Sequence, residues 1–126
     1  MDIYEGYKIA DQIRGIQAAV DCVLEEAGWS NIHYSFSHEE LAMSHKDLGI
    51  LPVSLLSDGV RAMVSMVADL AWRCSKLNPH LGERAPIETN GIAIIDEVDM
   101  HLHPSWQQKV ISALQKAFPK VQLIVT

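Results

Sequence analysis

The sequence predicts an α/β fold, and three observations carry that prediction. Residues 91–95 (GIAII) and 121–125 (VQLIV) are short continuous apolar runs, the pattern of parallel strands buried on both faces. Between them, Trp106, Val110, Ile111, Leu114, Ala117 and Phe118 fall at helical spacing over residues 104–118. Strand, helix and strand joined by short links read as a right-handed βαβ unit in a parallel sheet. Pro104 suits the first turn of that helix, and Pro119 ends it.

The elements before this unit follow from the same periodicities. Residues 7–27 read as an amphipathic helix, with Ile9, Ile13, Ile16, Val20, Val23, Leu24 and Ala27 at steps of three and four. Gly28 stands where a helix C-cap belongs. Residues 31–37 alternate, with Ile32, Tyr34 and Phe36 on one side, and residues 40–45 are a candidate return strand of a hairpin. Residues 46–56 read as a loop ending in Leu55 and Leu56. Residues 60–77 form a mostly buried helix whose narrow polar stripe is Arg61, Ser65, Asp69, Arg73 and Lys76. Asn78-Pro79 stops it, and residues 79–90 are Pro-rich and polar, a surface loop.

Bulk properties exclude several classes. The 126 residues suffice for one small domain with a core and are too few for two. We divide it into residues 1–54, a helix with the candidate hairpin, and residues 55–126, which hold the chemistry. No apolar run approaches the roughly 18 residues of a membrane helix, and the N-terminus has no signal-peptide pattern, so a cytoplasmic protein is expected. The formal net charge is −6, with ten scattered Lys and Arg, which makes the stretch a poor candidate for a DNA groove. Cys22 and Cys74 lack CxxC spacing and sit in helical patterns, so both are expected to be reduced core residues.

Two motifs carry chemistry. In Ile92-Ala93-Ile94-Ile95-Asp96-Glu97, two carboxylates emerge at the C-terminal end of an apolar strand. Ligands of open α/β sheets bind beyond the strand C-termini. Asp96 suits a Mg²⁺ water shell, and Glu97 suits a base that orients and deprotonates the water attacking a γ-phosphate. The plain alternative is a strand that merely ends in acidic loop residues. The second motif is Leu56-Ser57-Asp58-Gly59, directly ahead of the buried helix. A Ser and a Gly at a helix N-terminus offer a hydroxyl and backbone N–H groups to an anion. The same residues also make an ordinary N-cap.

The order of these motifs, followed by Val98-Asp99-Met100-His101-Leu102-His103-Pro104, resembles the C-terminal half of ABC-type ATPase domains of the SMC and RecF-like kind. Within that group it looks most like the AAA-family ATPases of bacterial anti-phage systems, the Septu and retron-associated ATPases. The resemblance runs from Leu55 to Thr126 and implies a partial P-loop NTPase fold. By that resemblance Leu56 to Gly59 stand at the signature motif, so Ser57, Asp58 and Gly59 would reach a nucleotide bound by another subunit. Arg61 either adds charge to that contact or is a solvated position on the polar stripe. Asp96 and Glu97 match the Walker B pair, and Asp99, His101 and His103 match the D-loop region at the dimer interface. The resemblance implies ATP and Mg²⁺, a homodimer or the N-terminal half of the same domain as partner, and a link to DNA or a nuclease effector in DNA repair, chromosome maintenance or phage defence.

None of the seven glycines is followed by Lys, so no G-x-x-x-x-G-K-[ST] phosphate loop occurs in these residues. The family strand normally continues into Thr-His-Ser, and here Thr126 is the last residue. The chain therefore reads as the distal part of a larger ATPase. A non-catalytic interaction domain that retains the fold is the alternative. A metal-dependent hydrolase built on Asp96, Glu97, Asp99, His101 and His103 is a third reading. The purified chain is expected to show little or no ATP hydrolysis. Glu97-dependent turnover in a phosphate-release assay would overturn that expectation.

Overall fold

A computed structural model describes residues 3–96 and 104–126. The first helix, α1, spans Ile3–Leu24 and tightens into a 3₁₀ turn over Glu25–Ala27. Gly28 ends it at φ 87°, its N–H donating to the Glu25 carbonyl. That left-handed backbone is the reason for glycine at this cap.

Three antiparallel strands follow: β1 (Trp29–Ser35), β2 (Glu40–His45) and β3 (Gly49–Pro52), in spatial order β1-β2-β3. The hairpin of β1 and β2 is as expected. The expected loop over residues 46–56 instead holds β3 and a 3₁₀ turn, Val53–Leu55. Four residues that end in proline are too few to display an alternating pattern. The expected alignment of Ile32, Tyr34 and Phe36 also fails. Asn31 takes a positive φ, and the register shifts between Ser30 and His33. Ile32, within this irregularity, is buried, whereas past it Tyr34 is exposed and Phe36 lies beyond the strand in solvent.

Helix α2 runs Asp58–Leu77, and Asn78 caps its end as Asn78-Pro79 requires. Residues 79–90 are more ordered than a surface loop: a 3₁₀ stretch, Pro79–Arg84, leads into the short helix α3, Ala85–Glu88. Ala85, Pro86 and Thr89 are buried. The segment folds back onto α1 and α2, which a polar, Pro-rich composition does not disclose.

Strand β4 (Gly91–Ile95) pairs in parallel with β5 (Val121–Val125), Gly91 opposite Val121 and Ile95 opposite Val125. The connection carries α4 (Pro104–Gln107) and α5 (Val110–Ala117). The one helix expected over 104–118 is thus broken at Gln108-Lys109, while its apolar stripe packs as foreseen: Trp106, Val110, Leu114, Ala117 and Phe118 are buried.

Helix α1 is the hub. It packs against α2, α5, β1 and the 79–84 turn, and Val20, Val23 and Leu24 are fully enclosed with Met43, Met63, Val67, Leu114 and Phe118. Gly15 lets the 79–84 turn press onto α1, since a Cβ there would lie 2.9 Å from the Glu83 carbonyl oxygen. Two expectations of burial hold only in part. Ile92 and Ile94 are 68% and 70% exposed, because among the described residues only one face of the β4–β5 pair is covered. Helix α2 likewise leaves Trp72 and Leu77 exposed beside its polar stripe.

Gly15→Ala gains about 1 kcal/mol of helix propensity. The clash with a backbone carbonyl is expected to outweigh it, since overpacking costs about 1–3 kcal/mol. Urea unfolding should show a net loss of stability; a gain would mean the turn yields freely.

Candidate functional site

The acidic motif stands where the sheet places it. Parallel pairing through Ile95 and Val125 brings both strands to a common C-terminal edge, and Asp96 follows directly, exposed to solvent. Thr126 continues β5 past the paired run: its N–H donates to the Ile95 carbonyl at 3.1 Å. Its hydroxyl donates to Asp96 Oδ1, also at 3.1 Å. Sequence reading did not single out Thr126. The signal available was the equal length of the two apolar runs, which in parallel register sets residue 126 beside residue 96.

Asp96 is among the residues lining a groove of about 1060 Å³ between α2 and β4. Met66, Leu70 and Trp72 form one wall, and Ile92 and Ile94 are on the other. Asp69 and Arg73 at the rim are paired at 3.0 Å, and the Lys76 ammonium sits 5.2 Å over the Trp72 ring.

The second motif lies at the start of α2. Ser57 has extended backbone and its Oγ accepts from the Val60 N–H at 3.3 Å, the geometry of an N-cap. Its carbonyl accepts from the Arg61 N–H at 2.9 Å. The Arg61 guanidinium bonds the Asp58 carboxylate within the same turn. Gly59 is buried, whereas Ser57, Asp58 and Arg61 are exposed. None of these four lines the groove beside Asp96, so the two motifs are presented separately. Glu97, Asp99, His101 and His103 lie outside the described residues.

The donor chemistry at Asp96 suits a hard cation. The groups present are a carboxylate and a hydroxyl, the oxygen donors Mg²⁺ prefers, and Mg²⁺ is usually held by one or two carboxylates plus substrate phosphates and water. Among the described residues no group of three or more His, Cys, Asp or Glu is placed to hold a metal. The thiols stand apart from this chemistry. Both are free. Burial pushes Cys22 up, opposed by nearby Lys116. Burial also pushes Cys74 up, opposed by a hydrogen bond with Thr89. Raised thiols are poor nucleophiles and poor ligands. No helix among the described residues is long and apolar enough to cross a membrane.

Residues 23–126 match the family model described as "AAA domain, putative AbiEii toxin, Type IV TA system". The chain is 39% identical over 99 residues to the Retron Ec83 probable ATPase of Escherichia coli, an alignment covering 79% of this chain and 18% of that protein. It is 42% identical over 71 residues to the Retron Vc95 probable ATPase of Vibrio cholerae serotype O1 biovar El Tor, covering 56% and 13%. To the Septu protein PtuA of Bacillus thuringiensis it is 50% identical over 71 residues, covering 56% and 18%. The chain thus spans less than a fifth of the length of each of these relatives.

Two outcomes are expected from this geometry. Ser57→Ala should lower stability by about 1 kcal/mol in urea unfolding, the usual value of an N-cap hydroxyl. Iodoacetamide at neutral pH should label Cys74 only when the chain unfolds, and mass spectrometry of the native protein should find it unmodified.

Proposed function

The chain belongs to the AAA-domain family whose model matches it from residue 23 to residue 126, and from that premise we propose that it forms the hydrolytic segment of a dimeric, ABC-type ATPase serving phage defence. The observation that carries the proposal is an exposed carboxylate, Asp96, at the C-terminal end of a parallel strand. The retron and Septu names of the relatives favour defence over DNA repair or chromosome maintenance.

When bound, Mg²⁺–ATP supplies the transferable γ-phosphoryl group and neutralises its developing charge. Asp96 would hold the Mg²⁺ through its water shell. Glu97, next in sequence, takes the proton of the attacking water. Ser57 and Gly59 present a hydroxyl and an N–H at the start of α2 to a nucleotide held by the other subunit. Arg61, anchored by Asp58, adds positive charge at that end. By the resemblance, Asp99, His101 and His103 would contribute to the contact between subunits.

Two features support separate halves. The signature residues and Asp96 do not share a pocket, as expected of groups that complete each other's site across two subunits. The bare face of Ile92 and Ile94, opposite Trp72, is apolar surface that the phosphate-binding part of the domain would cover. The alternative, an interaction domain without hydrolysis, shares that surface and differs only in turnover.

ATP hydrolysis by these residues joined to the phosphate-binding half of the domain distinguishes the two. Glu97→Gln should lower kcat roughly 10²- to 10⁴-fold, the range for loss of a general base, while nucleotide stays bound and a dimer accumulates in size-exclusion chromatography. Turnover at the unsubstituted rate would exclude Glu97 as the base.

A further inference from the structure

We propose that Thr126 is a positioning residue for Asp96, holding its carboxylate in the orientation the Mg²⁺ water shell needs. The inference rests on the reading of Asp96 given above. Thr126 bonds to Ile95, the last residue of β4, and to Asp96 just beyond it, and the two bonds do different work. The backbone bond to Ile95 at 3.1 Å extends the strand ladder, which any residue with an N–H would do. The hydroxyl bond to Asp96 Oδ1 at 3.1 Å adds nothing to that ladder. It acts on the one side chain at the strand tip.

Asp96 is exposed, so its carboxylate has rotamers to lose on taking up a fixed geometry. A hydrogen bond between exposed groups contributes little to folding, because water competes for both partners. What it does contribute is direction. A carboxylate offers about four acceptor sites, so one hydroxyl at Oδ1 sets its plane and leaves acceptor capacity for metal-bound water. Threonine suits this role because its branched β-carbon stiffens χ1, and its backbone is already tied to β4. Partners of this kind fix the orientation of ligating carboxylates.

The test uses these residues joined to the phosphate-binding half of the domain, with a non-hydrolysable ATP analogue bound and Mn²⁺ as a paramagnetic substitute for Mg²⁺. Side-chain ¹³C NMR reads the Mn²⁺ dissociation constant from broadening at Asp96, and a thermal melt of each variant shows that the fold is kept. Thr126→Val should weaken Mn²⁺ binding at Asp96 about tenfold, the usual cost of losing an outer-shell partner, with little change in melting temperature. Thr126→Ser, which retains the hydroxyl, should restore it. If Thr126→Val binds Mn²⁺ as the unsubstituted chain does, while Asp96→Asn abolishes binding, the positioning role is wrong and the metal role of Asp96 stands. If the unsubstituted chain and Asp96→Asn are alike in showing no broadening there, the metal reading itself fails, and the role of Thr126 with it.

Discussion

The parallel pairing of β4 with β5 is the constraint on which the candidate site depends. Five register pairs, from Gly91–Val121 to Ile95–Val125, bring two distant stretches of chain to one edge. A carboxylate at residue 96 and a hydroxyl at residue 126 become neighbours for that reason alone. The pairing in turn depends on the crossover: α5 packs on α1, with Val110 and Leu114 buried in the shared core, which anchors the segment between the strands. Parallel ladders need such a connection, since no tight turn can join strands running the same way.

A contrast runs through the molecule between what is enclosed and what is left open. Helix α1 gathers an apolar core from both parts of the chain. The far side of β4 and the flank of α2 are different: Ile92, Ile94, Trp72 and Leu77 are all exposed, and a groove separates them. Exposed apolar surface of this kind marks a site of association. The polar N-terminus of α2 faces elsewhere, with Ser57 serving as its cap. The cap and the anion-binding reading of Ser57 are compatible, because capping satisfies one of the first N–H groups of a helix and leaves others unpaired.

Much of the fold was legible in sequence, and the misses share a cause. The helices α1 and α2, the β1–β2 hairpin, the Gly28 cap and the parallel pair all follow from periodicity and turn chemistry. Strand β3 was missed because four residues show no period. The 79–90 segment was misread because its burial comes from folding back on α1, with Gly15 allowing the approach, rather than from its own composition. The burial of Ile92 and Ile94 was overstated because an apolar run reports what a strand can bury, and the described chain covers only one side. At the candidate site, Asp96 and Ser57 were found from local motifs. Thr126 was not, because its meaning is a relation between two strands 30 residues apart.

The sequence by itself determined where the two candidate motifs stand and which element presents each, because both depend on local spacing: a carboxylate after an apolar run, a serine before a helix. Only the tertiary structure decided which of them meet. It placed Thr126 against Asp96, kept the Ser57 group away from the groove that Asp96 lines, and, among the described residues, left one face of β4 bare. The reason is physical. Backbone propensity acts over a few residues, whereas strand register and face coverage are set by packing between segments far apart in the chain.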